Sequence, residues 1–300
     1  MTVKKIFTLC CCLFILHKVP AQNDSTSVFA QQKLVWAATG VGFSIGFTSL
    51  YQAWYKPYSR EGFSFFDDSN EWLGMDKIGH FGTSWFLHRT LAELASNNHF
   101  SRKQANRYGI ISATAFMSAI EVMDGFSSGW GFSWSDYAAN IAGIAYSSLQ
   151  FQHPQLHLPI VKYSWQPGDL YAIRPELLGN SIPSRMLKNY NEQTYWLSMP
   201  VDLLSEGLPA WLCLSFGYGA SGLLGGRDNV WLDESGTTMD YSHVKRRSML
   251  KFSFDVDLGA LPLRKKWQKN LIRWVRWIKI PAPCLIIEHG KTPNWQAIYW

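Results

Sequence analysis

The first half of the chain alternates between long apolar segments and short polar ones, a pattern typical of helices. Residues 34–55 run for 22 positions without a formal charge. That length suits either a membrane-spanning helix or a buried helix of a soluble protein. Apolar residues then recur near helical spacing over 76–94, 104–123 and 135–151. The pattern therefore predicts a four-helix domain over 33–152.

The pattern changes past the fourth helix. Proline recurs every several residues between Pro154 and Pro183, which interrupts long helices and predicts an extended linker over 153–194. Residues 249–258 alternate apolar and polar side chains with a period of two, which indicates a strand. We expect a mixed α/β region over 195–300. The predicted fold class is mainly α: a four-helix membrane-associated bundle followed by a loop-rich, β-containing C-terminal region.

The N-terminal residues have the pattern of a secretory signal. Lys4 and Lys5 precede an apolar run over Ile6–Leu16, and small residues stand before a cleavage point near Gln22. We therefore assign residues 1–22 to a signal peptide and expect an exported chain.

Composition excludes several classes of protein. Of the 300 residues, 47% are hydrophobic, 15% aromatic and only 17% charged, whereas ordinary soluble domains have about 25% charged residues. This excludes a disordered chain and favours a membrane-associated one. Five cysteines are too few for a disulfide scaffold. Beyond the signal, Cys213 and Cys284 could form at most one bridge.

The basic charge is concentrated in one segment. The net charge is +6, and residues 264–279 hold seven basic side chains and no acid, which argues against a general nucleic-acid surface. Residues 263–280 predict a basic amphipathic helix that would lie on anionic lipid. The alternative is an ordinary amphipathic helix whose basic face is solvated. The predicted lipid-surface residues are Trp267, Arg273, Trp274, Arg276 and Lys279.

Polar side chains that could carry chemistry are few in the predicted helices, and they occur in pairs. Such groups are costly inside apolar helices unless they are paired or bound to a metal, so they mark functional positions. A helical spacing of three or four residues places both members of a pair on one face. The pairs are Asp76 with His80, Glu121 with Asp124, and Asp136 with Asn140.

Three interpretations of these pairs remain open. In the first, a catalytic or metal site, Asp76, His80, Glu121 and Asp136 ligate one divalent cation through imidazole nitrogen and carboxylate oxygen. Lys77, Asp124 and Asn140 then bind or orient a substrate. In the second, the same groups form a structural network, with Asp76 and Asp136 capping their helices and a buried His80–Glu121 or Lys77–Asp pair joining them. In the third, they bind a ligand without chemistry.

Three short motifs occur in order along the chain: Asp76-Lys77-Ile-Gly-His80-Phe81, then Glu121 with Asp124-Gly125, then Gly131-Phe132-Ser133-x-Ser135-Asp136-x-x-x-Asn140-x-x-Gly143. This order resembles the predicted periplasmic lipoproteins of unknown function typified by YfiM. A looser form is similar to VanZ-like membrane proteins. The resemblance implies an envelope location and a helical hairpin core, and it implies no reaction. The sequence departs from lipoproteins in lacking a convincing lipobox.

These features predict an exported protein of the bacterial cell envelope, periplasmic and membrane-associated. Its expected role is non-enzymatic interaction or scaffolding, with a membrane lipid surface as partner and no nucleic acid. The alternative is a metal-assisted hydrolase or transferase that acts on a lipid-linked or cell-wall substrate.

Overall fold

The structure is a computed structural model that describes residues 25–56, 58–203, 205, 207–233 and 235–300. The predicted signal peptide lies outside these residues. The chain divides into two compact units. Unit 1 comprises the residues up to Phe66, Leu87–Ser133 and Ile144–Gln152. Unit 2 comprises Asp67–Phe86, Trp134–Gly143 and His153–Trp300.

Helices account for 48% of the structure and strands for 22%, as expected for a fold with more helix than strand. The residues that the structure describes form seven α-helices: α1 (Ser25–Leu50), α2 (Met75–Ser96), α3 (Arg102–Gly125), α4 (Trp134–Gln152), α5 (Pro175–Leu178), α6 (Ile182–Lys188) and α7 (Lys266–Val275). A π-helical turn, Tyr51–Tyr55, extends α1. Among the described residues, the helical stretch Val28–Tyr55 is long and apolar enough to cross a bilayer, and 11% of its apolar window is buried.

Unit 1 packs α1 against α3 through aromatic rings. Phe43 and Phe47 both contact the Phe116 ring, with centroids 4.7 and 4.5 Å away. Gly46 permits this approach, because a Cβ atom there would lie 3.2 Å from the same ring. His88 and Ser147 share a buried hydrogen bond of 2.8 Å between Nδ1 and Oγ. The four helices predicted for this part of the chain are therefore present in the structure.

Unit 2 contains an antiparallel sheet of six strands in the order β1-β2-β3-β6-β7-β8, while β4 and β5 form a separate pair. The strands are β1 (Ile160–Trp165), β2 (Gln193–Pro200), β3 (Leu212–Ser221), β4 (Val230–Leu232), β5 (Thr238–Asp240), β6 (Arg247–Val256), β7 (Ala282–Glu288) and β8 (Asn294–Tyr299). The strand expected over 249–258 lies largely within β6.

The inner face of this sheet buries charged and polar side chains beside Trp196, Cys284 and Ile286. Lys162 of β1 and Asp255 of β6 form an ion pair with 2.7 Å between Nζ and Oδ2, and both side chains are 0% exposed. Lys251 Nζ donates a 2.7 Å hydrogen bond to Thr194 Oγ1. Thr194 of β2 also shares a 2.9 Å hydrogen bond with the Tyr299 hydroxyl of β8. Contacts between strands that are not neighbours require a strongly curled sheet whose inner side chains meet.

The structure corrects three expectations. Residues 153–194 are not only a linker, because β1 pairs with β2 along its whole length. The amphipathic helix expected over 263–280 ends at Val275, and the chain then runs along β1, where Lys279 N–H donates to Tyr163 O at 2.9 Å. Cys213 and Cys284 are both buried and free, so they form no bridge.

The buried Lys162–Asp255 pair provides a test of the inner face. Lys162→Met leaves Asp255 as an uncompensated buried charge, and we expect a loss of about 3–5 kcal/mol in the free energy of unfolding. Lys291→Met is the control, because that side chain is 51% exposed in its ion pair and should change stability by less than about 1 kcal/mol. Chemical denaturation measures both. Equal effects would contradict the buried pairing.

Candidate functional site

A strained turn leads into α2. Trp72 and Leu73 both have positive φ, at 52° and 53°, in the left-handed region that costs energy for residues other than glycine. Surrounding contacts hold them there: Trp72 N–H donates to Gly226 O at 2.7 Å, and the Tyr218 hydroxyl donates to Leu73 O at 2.6 Å. The turn fixes where α2 begins, and thereby where Asp76 lies.

The centre of the site is the ammonium group of Lys77. Its Nζ lies 2.6 Å from Asp68 Oδ1, 2.8 Å from Asp76 Oδ2 and 3.0 Å from Asp136 Oδ1. The three acids come from the loop before α2, from α2 and from α4. The four side chains are between 8% and 17% exposed. One lysine thus joins three chain segments of unit 2 at a partly solvent-accessible point.

Three carboxyl groups around one ammonium cannot all remain ordinary acids. Burial, followed by a hydrogen bond with Asp68, raises the pKa of Asp136 to about 9. Burial also raises the pKa of Asp76. Burial acts to lower the pKa of Lys77, but its hydrogen bonds to Asp68 and Asp76 outweigh this effect and raise it. At neutral pH, Lys77 is charged and Asp136 carries a proton, which reduces the excess of negative charge.

His80 lies beside the carboxylates as a neutral imidazole. Burial lowers its pKa to about 4. Its Nδ1 lies 3.2 Å from Asn140 Oδ1; because a carboxamide oxygen only accepts, Nδ1 carries the proton in this pairing. Nε2 then has a lone pair and lies 3.8 Å from Asp136 Oδ2. A neutral histidine in this tautomer can accept a proton or ligate a metal.

Glycines bring the helices of the site close together. A Cβ atom on Gly143 of α4 would lie 2.2 Å from the backbone oxygen of Phe81 in α2, so no larger residue fits without a shift of the helix. On another face of α2, Cβ atoms on Gly79 and Gly82 would lie 3.3 and 3.0 Å from the Tyr195 ring system of β2. The glycine three residues after Asn140 thus has a packing role.

Five of the seven predicted site residues come together in unit 2. They are Asp76, Lys77, His80, Asp136 and Asn140. Glu121 and Asp124 belong to unit 1, where Glu121 is buried and the Asp124 carboxylate accepts a 2.8 Å hydrogen bond from the Tyr55 hydroxyl. Lys77 contacts the acids directly, as the structural interpretation with a Lys77–Asp pair expects and the substrate role does not.

Sequence reasoning missed Asp68. It lies in an aromatic loop without periodicity, and its carboxylate accepts a 2.7 Å hydrogen bond from Ser135 Oγ at the start of α4. The only signal in the sequence was the adjacent acid pair Asp67-Asp68 a few residues before the first motif.

A divalent cation fits the donor set of this cluster only in part. Asp68, Asp76 and Asp136 each offer a carboxylate oxygen, and these oxygens lie within 4.8 Å of one another. Hard cations favour such ligands. The Lys77 ammonium contacts all three acids, however, and supplies the positive charge that a metal would bring. The Lys77 ammonium therefore takes the place that a metal ion would have among the three acids.

The predicted lipid-surface residues divide into two groups. Trp267 is 61% exposed and Arg273 is exposed, whereas Trp274 and Arg276 are half-buried. Lys279 is 1% exposed, and its Nζ donates to Phe254 O at 2.8 Å. Its placement on a lipid surface is therefore wrong, because the chain leaves the helix before this residue and turns it into the sheet.

Comparison with known proteins gives one match. A family model described as "Predicted periplasmic lipoprotein (DUF2279)" matches residues 60–152. These residues include Asp68, the three motifs and the whole Lys77 cluster. The match supports an exported envelope location. No curated protein and no solved structure matches the chain.

The raised pKa of Asp136 predicts a pH-dependent stability. The folded protein holds a proton on Asp136 up to about pH 9, whereas the unfolded chain releases it near pH 4. Stability should therefore fall as pH rises from 7 to 9, by at most about 1.4 kcal/mol per pH unit. His80, with its pKa lowered to about 4, affects only more acidic solutions. In the Asp136→Asn variant, the free energy of unfolding, measured by chemical denaturation at each pH, should decline less between pH 7 and 9. An unchanged slope would contradict the assignment.

Proposed function

We propose that this chain is a non-enzymatic protein of the cell envelope that associates with membrane lipid, and that the Lys77 cluster stabilises its helices instead of catalysing a reaction. The observation that carries the proposal is the position of the Lys77 Nζ, within 3.0 Å of three aspartate carboxyl groups. A catalytic metal needs those oxygens together with an open coordination position. Here the ammonium group engages all three acids.

Removal of the ammonium group tests this role. Lys77→Met leaves three acids without their cation, and we expect a loss of about 2 kcal/mol, less than for a fully buried pair because the side chain is partly exposed. Lys103→Met, at an exposed position of α3, is the control and should be near neutral. Millimolar Ca²⁺ should raise the Tm of the Lys77→Met variant and leave that of the wild type unchanged, because only the variant has unoccupied oxygen ligands.

A metal-assisted hydrolase or transferase is the second candidate. The neutral His80, with its Nε2 directed at Asp136, favours it, since this is the form of histidine that ligates metals or accepts protons. This candidate predicts a stoichiometric divalent cation in the purified wild type that is lost in His80→Ala. Elemental analysis that finds this pair of results would contradict the structural role of Lys77.

Two exposed apolar surfaces support the association with lipid. Within α7, Trp267 and Leu271 are exposed, four residues apart, beside the exposed Arg273. A basic helix with exposed tryptophan is typical of a membrane–water interface. Along α1, Phe29, Leu34, Trp36 and Val41 are all exposed. Exposure of large apolar side chains over several turns favours contact with lipid over contact with water.

Charge removal on α7 tests its part in the association. The double variant Arg273→Gln/Arg276→Gln should bind vesicles that contain anionic lipid about 5- to 30-fold more weakly, since each cation near such a surface contributes on the order of 1 kcal/mol. Lys103→Gln/Arg107→Gln removes the same charge from exposed positions of α3 and is the matched control. Equal losses in the two variants would indicate a net-charge effect and contradict a specific role of α7.

A further inference from the structure

The outer face of the six-stranded sheet carries rows of apolar side chains from β2 to β8, and α2 packs against Tyr195 at its β2 end. The register aligns its side chains in rows across the strands. One row runs Leu197, Phe216, Phe252, Leu285 and Trp295; a second runs Met199, Leu214 and Phe254; a third runs Tyr218, Leu250 and Ile287. None of these positions carries a charge. The Phe216 and Phe252 rings lie 5.4 Å apart and remain 49% and 37% exposed.

The two faces of the sheet have the reverse of the polarity expected in water. A sheet of a soluble protein buries its apolar face and solvates the polar one. Here the next residues along the strands point inward and include the Lys162–Asp255 ion pair and Lys251. Outward-facing phenylalanines around such a buried ion pair are favourable when the outer medium is itself apolar.

The dimensions of this face suit a bilayer. The two central strands, β3 and β6, each have 10 residues, and a strand that crosses a membrane needs about 9–11. The outward positions of β3 from Leu212 to Tyr218 span about 20 Å at the usual rise per residue. This is about two-thirds of a hydrocarbon core of about 30 Å.

Tryptophans and the basic helix lie at the margins of the apolar rows. Trp211 directly precedes β3 and Trp300 directly follows β8; both are exposed. Tryptophan is enriched where hydrocarbon meets water. The end of β6 is followed by α7, and Asp257 N–H donates to Trp211 O at 2.7 Å. The basic segment therefore follows the apolar strand at its end, as a headgroup contact would require.

We propose that the outer face of this sheet, centred on Phe216, Phe252 and Phe254, is immersed in the acyl chains of a lipid bilayer. This inference rests on the proposed association with membrane lipid and adds a second, uncharged contact. It differs from the contact of α7, because it depends on hydrocarbon and not on the charge of the headgroups.

Vesicle flotation of the purified protein tests the proposal, with phosphatidylcholine vesicles that contain or lack phosphatidylglycerol. The double variant Phe216→Lys/Phe252→Lys should partition at least tenfold more weakly into both kinds of vesicle. Its matched control is Val230→Lys/Leu232→Lys, which places two lysines at exposed apolar positions of β4 and should partition like the wild type. Arg273→Gln/Arg276→Gln should lose only the added affinity for anionic vesicles.

A label gives a second measurement that does not depend on lysine substitutions. An environment-sensitive fluorophore on Phe254→Cys should be quenched by lipids brominated on their acyl chains, and the same label on Leu232→Cys should not. Cys10, Cys11 and Cys12 belong to the predicted signal peptide, which the labelled protein omits, and the native Cys213 and Cys284 are buried, which favours labelling at the introduced thiol.

The possible results separate the two proposals. If the wild type binds anionic vesicles while the label at position 254 is not quenched and the phenylalanine variant binds normally, the sheet inference is wrong and the association through α7 stands. If the wild type binds neither vesicle, both proposals fail. If the wild type is a dimer that the two lysines dissociate, with no quenching, the face joins copies of the chain and the lipid contact is refuted.

Discussion

An ammonium group removed from bulk water needs acceptors on several sides, and the geometry of the site follows from this requirement at Lys77. Its three carboxylates come from a loop and two helices that are distant in sequence. Once they surround the ammonium group, the first half of α2 and the first half of α4 have little freedom. The His80–Asn140 hydrogen bond and the close approach at Gly143 then follow as consequences of the same placement.

Sequence periodicity predicted the helices and the members of this cluster that lie on them. Helical spacing placed Asp76 on one face with His80, and Asp136 with Asn140, and each pair does line the same cluster. Spacing contains no information on which acid a lysine will contact, so Lys77 stayed open between a substrate role and a buried pair with an unspecified aspartate. Asp68 was missed for a related reason: a loop has no period from which a direction could be predicted.

The C-terminal part was predicted less well, because its strands do not have the polarity of a soluble sheet. The alternation over 249–258 indicated a strand correctly, but alternation alone does not say which set of side chains faces inward. A rule derived from water-soluble proteins would place Phe252 and Phe254 inside and Lys251 outside, and the structure has the opposite arrangement. The prolines led to the prediction of an extended linker over 153–194, which contains β1. Pro159 directly precedes this strand, a position at which strands tolerate proline.

The hydrogen bond between Thr194 and Tyr299 joins residues 105 positions apart, and it has a kinetic consequence. The inner core of the sheet cannot close until β8 has arrived, and one edge of β3 stays unpaired until β6 has been delivered. Contacts of such long range slow folding and prolong the exposure of aggregation-prone strands. We therefore expect this sheet to be the last part to mature and the part that most needs a chaperone during biogenesis.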